Sequence, residues 1–98
     1  MAGYLLVLDH EIKDEALFAE FLKSVGDNME SFGGKYLVKG GRHMVMDGQW
    51  APVRIALVEF ESADGARRWL DSQEYAALGE MRRWAAEATV IVLEGVEG

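Results

Sequence analysis

Tyr4-Leu5-Leu6-Val7-Leu8, closed by Asp9-His10-Glu11, is apolar at consecutive positions rather than alternate ones. A strand turns successive side chains to opposite faces of its sheet, so such a run asks for cover on both faces. Ile55-Ala56-Leu57-Val58 and Val90-Ile91-Val92-Leu93 make the same demand. Downstream of the first run the pattern changes period. Phe18, Leu22, Val25, Met29 and Phe32 recur at spacings of three and four, one face of an α-helix, with Glu15, Glu20, Lys23, Asp27 and Glu30 on the other. Asp14 is placed to cap its N-terminus, and Gly33-Gly34 to end it.

Lys35 to Lys39 reads as a second strand, bent at Gly40-Gly41 and resumed through His43-Met44-Val45-Met46. Asp47-Gly48 marks a turn, and Pro52 confines its surroundings to a loop or an edge. Val53 to Phe60 is a third strand. Ser62 caps a helix over Ala63 to Leu70, and Asp71 or Ser72 caps another that continues to about Glu87, weakened at Gly79. Thr89 to Leu93 is the fourth strand, and Gly95 to Gly98 a polar tail. Strand, helix, strand, strand, helix, strand is the ferredoxin-like βαββαβ pattern of the α+β class, with a four-stranded antiparallel sheet and the helices on one face. Strands one and three are expected at the centre of the sheet and parallel to each other, and residues 1–98 as one domain.

Both helices are spent on one face, and the apolar runs leave the other uncovered. A second copy of the sheet, packed face to face about a two-fold axis, is the simplest cover, and a homodimer is predicted. The competing outcome is a monomer with an exposed apolar sheet, a patch larger than soluble monomers usually tolerate.

The chain has 98 residues, with 17 Asp and Glu against 10 Lys and Arg, for a net charge of −7. That sign argues against a nucleic-acid or anionic-membrane surface. The absence of cysteine excludes disulfides, thiolate metal sites, iron–sulfur clusters and cysteine nucleophiles. Met1 to Gly3 lacks a basic leader region, and no apolar run approaches the ~20 residues that span a bilayer, so a cytoplasmic location is expected.

Phe32-Gly33-Gly34-Lys35-Tyr36-Leu37-Val38-Lys39-Gly40-Gly41, Asp47-Gly48-Gln49-Trp50-Ala51-Pro52-Val53-Arg54, Val58-Glu59-Phe60-Glu61-Ser62, Ala66 to Trp69 and Asp71-Ser72-Gln73-Glu74-Tyr75 occur in order with short gaps. Together they resemble the family known as domain of unknown function 1330, nearly end to end. The resemblance implies the dimeric α+β barrel superfamily, whose members include cofactor-free monooxygenases, muconolactone-type isomerases, haem-degrading enzymes and stress-responsive proteins. It implies fold and dimer but no reaction.

The residues themselves offer several candidate groups. Asp9 and Glu59 each follow an apolar strand phase, and if the two phases share a face of a parallel pair they become neighbours able to divide acid and base roles. Otherwise each is a solvated or Arg-paired strand-end carboxylate. His43, at the expected bend, can act as a base or donor in a cleft, or be a partly exposed structural histidine. Arg54 shares a phase with Ala56, Val58 and Phe60, either as a snorkelling side chain or as a fixed cation for an anion. Trp69 and Tyr75 are ligand-binding candidates that also fit a core, and Trp50 suits a lid or a dimer contact. His10 and His43 stand in no ligand-spacing motif, so neither a metal nor another cofactor is expected. Glu59 and His43 are thus the catalytic candidates, and Arg54, Trp50, Asp9, Trp69 and Tyr75 the ligand-binding ones. Three readings remain open: a homodimer with a small-molecule pocket between sheet and helices, extending to a cofactor-independent oxygenase or isomerase; a non-catalytic ligand-binding or stress-associated module; and an assembly unit.

Overall fold

A computed structural model of the chain describes residues 1–96, so the last two residues of the expected polar tail, Glu97 and Gly98, lie outside the described residues. The elements run β1 (Gly3–Ile12), α1 (Glu15–Glu30), β2 (Lys35–Lys39), β3 (Arg54–Phe60), α2 (Ala63–Leu70), α3 (Gln73–Ala85) and β4 (Ala86–Glu94). The expected caps form. Asp14 accepts from the Leu17 amide, Ser62 from Gly65 and Ser72 from Tyr75, each satisfying a free N–H of a first helical turn. The apolar stripe of α1 is wider than its three-and-four spacing suggests, since Phe21 is buried beside Phe18, Val25 and Met29.

The four strands lie in the order β2-β3-β1-β4 and all pair antiparallel, so β1 and β3 are central. The expectation that these two run parallel is corrected. The crossover through α1 makes β1 parallel to β2, and the return after β2 then brings β3 back between them in the opposite sense. Direction decides which side chains meet: Asp9 lies across from Arg54, and Tyr4 across from Glu59.

The second strand does not resume. It pairs with β3 from Lys35↔Glu59 to Lys39↔Ala56, and the Gly40 amide donates once more to the Ile55 carbonyl. Gly40 then takes φ +67, a left-handed conformation that side chains disfavour, and the chain leaves the sheet. Residues 41–53 form an irregular, largely exposed loop in which Met44, Val45 and Met46 have no strand partner. Val53 ties its end to β1 by donating to the Asp9 carbonyl at 2.8 Å.

Leu5 of β1, Val58 and Phe60 of β3 and Val90 and Val92 of β4 meet Phe18, Phe21, Val25 and Met29 of α1 and Trp69 and Tyr75 of the later helices in one core. Among the described residues no helix lies over the opposite phase of the sheet. Across its middle runs an in-register apolar row of Val38, Leu57, Leu6 and Ile91. Among the described residues no helix is long and apolar enough to cross a membrane.

Candidate functional site

Between the sheet and the helices lies a cavity of about 40 Å³, walled by Leu5, Val7, Ala56 and Val58 from the sheet and Phe21 and Val25 from α1. Asp9, Tyr36, Arg54 and Arg82 bring polar groups to this lining. At roughly 10–15 Å³ per water, the space holds about three water molecules or a ligand of a few heavy atoms.

Asp9 is only 1% exposed. Its carboxylate closes the inward phase of Leu5 and Val7, next to a register shift between Asp9 and Glu11 where His10 bulges from the β1–β4 ladder. Arg54 Nη1 approaches Asp9 Oδ2 at 3.4 Å, a long contact for a charge-assisted bond. Burial pushes the Asp9 carboxyl above the usual carboxylate value of 3.8, and Arg54, Arg82 and His10 oppose that rise without cancelling it. Burial also raises the Tyr36 hydroxyl.

Arg54 is held on two sides. Its guanidinium lies 5.6 Å from the Phe18 ring centroid, and a Cβ on Gly40 would stand 2.5 Å from its Nε. Gly40 therefore serves both the left-handed turn and the close approach to the arginine. Arg82 arrives from α3, seven residues after Tyr75 and on the same helical face. Among the described residues two buried side-chain polar atoms have no hydrogen-bond partner within the protein: Asp9 Oδ1 and Arg82 Nε. Both belong to residues lining the cavity. Unpartnered buried polar atoms cost about 1–3 kcal/mol each, and both of these belong to residues around the same cavity.

The other sequence candidates scatter. Glu59 lies in the opposite strand phase from Arg54, Ala56 and Val58, on the sheet face without helices, where the Tyr4 hydroxyl donates to it at 3.5 Å and Lys35 stands opposite it in register. Five residues of β1 separate the Tyr4 and Asp9 levels, about 17 Å along the strand, so Glu59 and Asp9 are not neighbours. His43 lies in the exposed loop, its Nε2 2.7 Å from the Pro52 carbonyl. Trp50 is 57% exposed, its ring centroid 5.3 Å from that of His10, whose Nε2 is 2.8 Å from Thr89 Oγ1. Neither reaches the cavity lining.

Trp69 and Tyr75 do line it, their rings tilted against each other with centroids 4.4 Å apart. The Trp69 indole donates to Asn28 Oδ1 at 2.7 Å, and Asn28 Nδ2 donates to the Glu74 carbonyl at 2.8 Å, so one amide ties α1 to both later helices. Gly79 leaves room for the Tyr75 ring, which a Cβ there would approach to 2.8 Å. Asn28, Tyr36 and Arg82 were not among the sequence-based candidates. Helical spacing from Tyr75 was the available signal for Arg82; nothing local pointed to Asn28. Among the described residues no group of three His, Asp or Glu is placed to hold a metal ion.

This architecture agrees with the comparisons. The chain matches the family model described as Domain of unknown function (DUF1330) over residues 2–96, and it belongs to that family. It is similar to a protein of unknown function from Rhodopseudomonas palustris, with a TM-score of 0.76 and 16% identity over 99% of this chain and 84% of that one. An ethyl tert-butyl ether d (EthD) family protein from Bacillus halodurans aligns with a TM-score of 0.64 and 16% identity, over 98% of this chain and 100% of that one. A dimeric protein of unknown function and ferredoxin-like fold from Bacteroides fragilis gives a TM-score of 0.56 and 20% identity, over 96% of both chains. At these identities the likeness is one of fold. None of the curated proteins compared matches the chain.

Proposed function

We propose that the protein is a homodimeric small-molecule-binding protein whose site is the cavity between sheet and helices, with Asp9 as the group that exchanges a proton with whatever is bound. One observation carries this reading: a carboxylate oxygen and a guanidinium nitrogen, both buried and both without a protein partner, belong to residues of one largely apolar lining. A buried carboxyl with a raised affinity for protons is suited to general acid–base work, which needs no bound cofactor and fits a cofactor-independent isomerase or oxygenase. The dimer is supported by the helix-free sheet face with its row of Val38, Leu57, Leu6 and Ile91, and by the description of the Bacteroides fragilis protein as dimeric. Glu59 and His43 lie outside this cavity, and the exposed Trp50, beside the His10 ring, would be available to a dimer contact.

A second reading is favoured by the size of the cavity. About 40 Å³ is far below the roughly 300–1,000 Å³ of drug-sized pockets, as a non-catalytic or assembly module would have it. Saturation-transfer NMR with a library of small fragments separates the two. The binding reading expects hits that disappear in Val90→Phe or Ala56→Val, which fill the cavity from β4 and β3, with circular dichroism unchanged. Hits that persist in both folded variants, or no hits at all, overturn it.

A further inference from the structure

The two unpartnered atoms differ in kind, and the difference specifies a ligand. Arg82 Nε carries a hydrogen and can only donate; the ionised Asp9 Oδ1 can only accept. A molecule that satisfies both must present an acceptor to Arg82 and a donor to Asp9. Charge narrows the choice. Arg54 and Arg82 against Asp9 leave the lining with one surplus positive charge, enclosed by apolar walls where an anion's attraction is weakly screened. Size narrows it again, since the cavity takes only a few heavy atoms before it must open. Arg54 is already committed to Asp9 Oδ2, which leaves Arg82 as the arginine with an uncommitted buried N–H.

From the pairing of these atoms we propose that the cavity binds a small monoanion that carries a hydroxyl beside its anionic group, a short hydroxycarboxylate being the simplest case. The anionic oxygen accepts from Arg82 Nε, and the hydroxyl donates to Asp9 Oδ1. The carboxylate alone would leave Asp9 facing a like charge, and the hydroxyl alone would leave the surplus charge unbalanced. The inference rests on the cavity being the binding site, and adds the class of molecule that fits it.

The test is isothermal titration of the full-length protein with glycolate, acetate and glycolamide, which differ in the hydroxyl and in the charge. Glycolate is expected to bind at least tenfold more tightly than either, a difference of about 1.4 kcal/mol. Arg82→Gln is expected to lose this preference over glycolamide, and Arg82→Lys, which keeps the charge without the Nε hydrogen, to recover it only in part. Glycolamide binding as well as glycolate, or glycolate binding equally to wild type and Arg82→Gln, overturns the proposal. Failure here is distinguishable from failure of the binding reading. A protein that ignores glycolate but keeps fragment hits sensitive to Val90→Phe loses only the ligand class, whereas one with neither loses both.

Discussion

Replacing Asp9 by asparagine tests the energetics of the site, because it removes the charge and keeps the shape. At the 3.4 Å separation of Arg54 Nη1 and Asp9 Oδ2, two unit charges attract by about 5 kcal/mol at an effective dielectric of 20. Against this stands the cost of taking a carboxylate that is 1% exposed out of water, several kcal/mol in folded proteins. The raised proton affinity of Asp9 says that burial outweighs Arg54, so the ionised form costs more than it returns. Asp9→Asn, whose carbonyl still accepts from Arg54, is therefore expected to be as stable as wild type at pH 7 or more stable by about 1–2 kcal/mol. That corresponds to a rise in Tm of roughly 4–8 °C per kcal/mol for a domain of this size. The pH dependence carries the sign. A carboxyl with a folded-state pKa above its unfolded value contributes most below the unfolded value and loses that contribution as pH rises through the folded one. Wild type should thus lose stability relative to the variant as pH climbs from about 3.8, the two curves meeting below it. The assay is urea unfolding between pH 3 and 8 at fixed protein concentration, since the stability of the proposed dimer would depend on concentration. Arg54, Arg82 and His10 are the charged groups acting on Asp9, and all are retained in both proteins. A variant 3–5 kcal/mol less stable at pH 7, with the deficit shrinking on acidification, would refute the reasoning, since that is the behaviour of a broken stabilising pair.

Three other substitutions probe the supports of the site and the open face. Gly40→Ala should cost about 1–2 kcal/mol for a side chain held at φ +67, and its Cβ should push Arg54 from Asp9, read by urea unfolding and by the position of Arg54 in a crystal structure. Asn28→Ala leaves the Trp69 indole without its acceptor and unties α1 from the Glu74 carbonyl, and should destabilise by about 1–3 kcal/mol, with tryptophan emission moving to longer wavelength as water reaches the indole. Leu57→Lys with Ile91→Lys places two charges in the apolar row of the open sheet; sedimentation should show dimer giving way to monomer, with circular dichroism unchanged.

The elements were legible where side-chain period and capping chemistry agree, as in α1 with Asp14 before it and in the consecutive apolar runs of β1, β3 and β4. Met44-Val45-Met46 has strand composition, yet it forms no strand, because pairing is a property of two segments and Gly40 turns the chain off the ladder first. The site was legible only in pieces. Asp9 and Arg54 each stood out as a charge in an apolar phase, but their meeting depends on β1 and β3 being antiparallel, which the apolar runs do not encode. The assumed parallel pairing sent Asp9 towards Glu59 instead. Arg82 is one of four arginines on the two later helices, where charge alone points to solvent; only its helical phase with Tyr75 and Gly79 points inward.

The proposed function stands or falls with the cavity beside Asp9 and Arg82 holding something other than protein. A crystal structure resolving ordered solvent tests it most directly. The expected result is an open cavity in which Asp9 Oδ1 and Arg82 Nε both bond to water or to a bound small molecule. A cavity closed by the surrounding side chains, with both atoms bonded to protein groups, would contradict it.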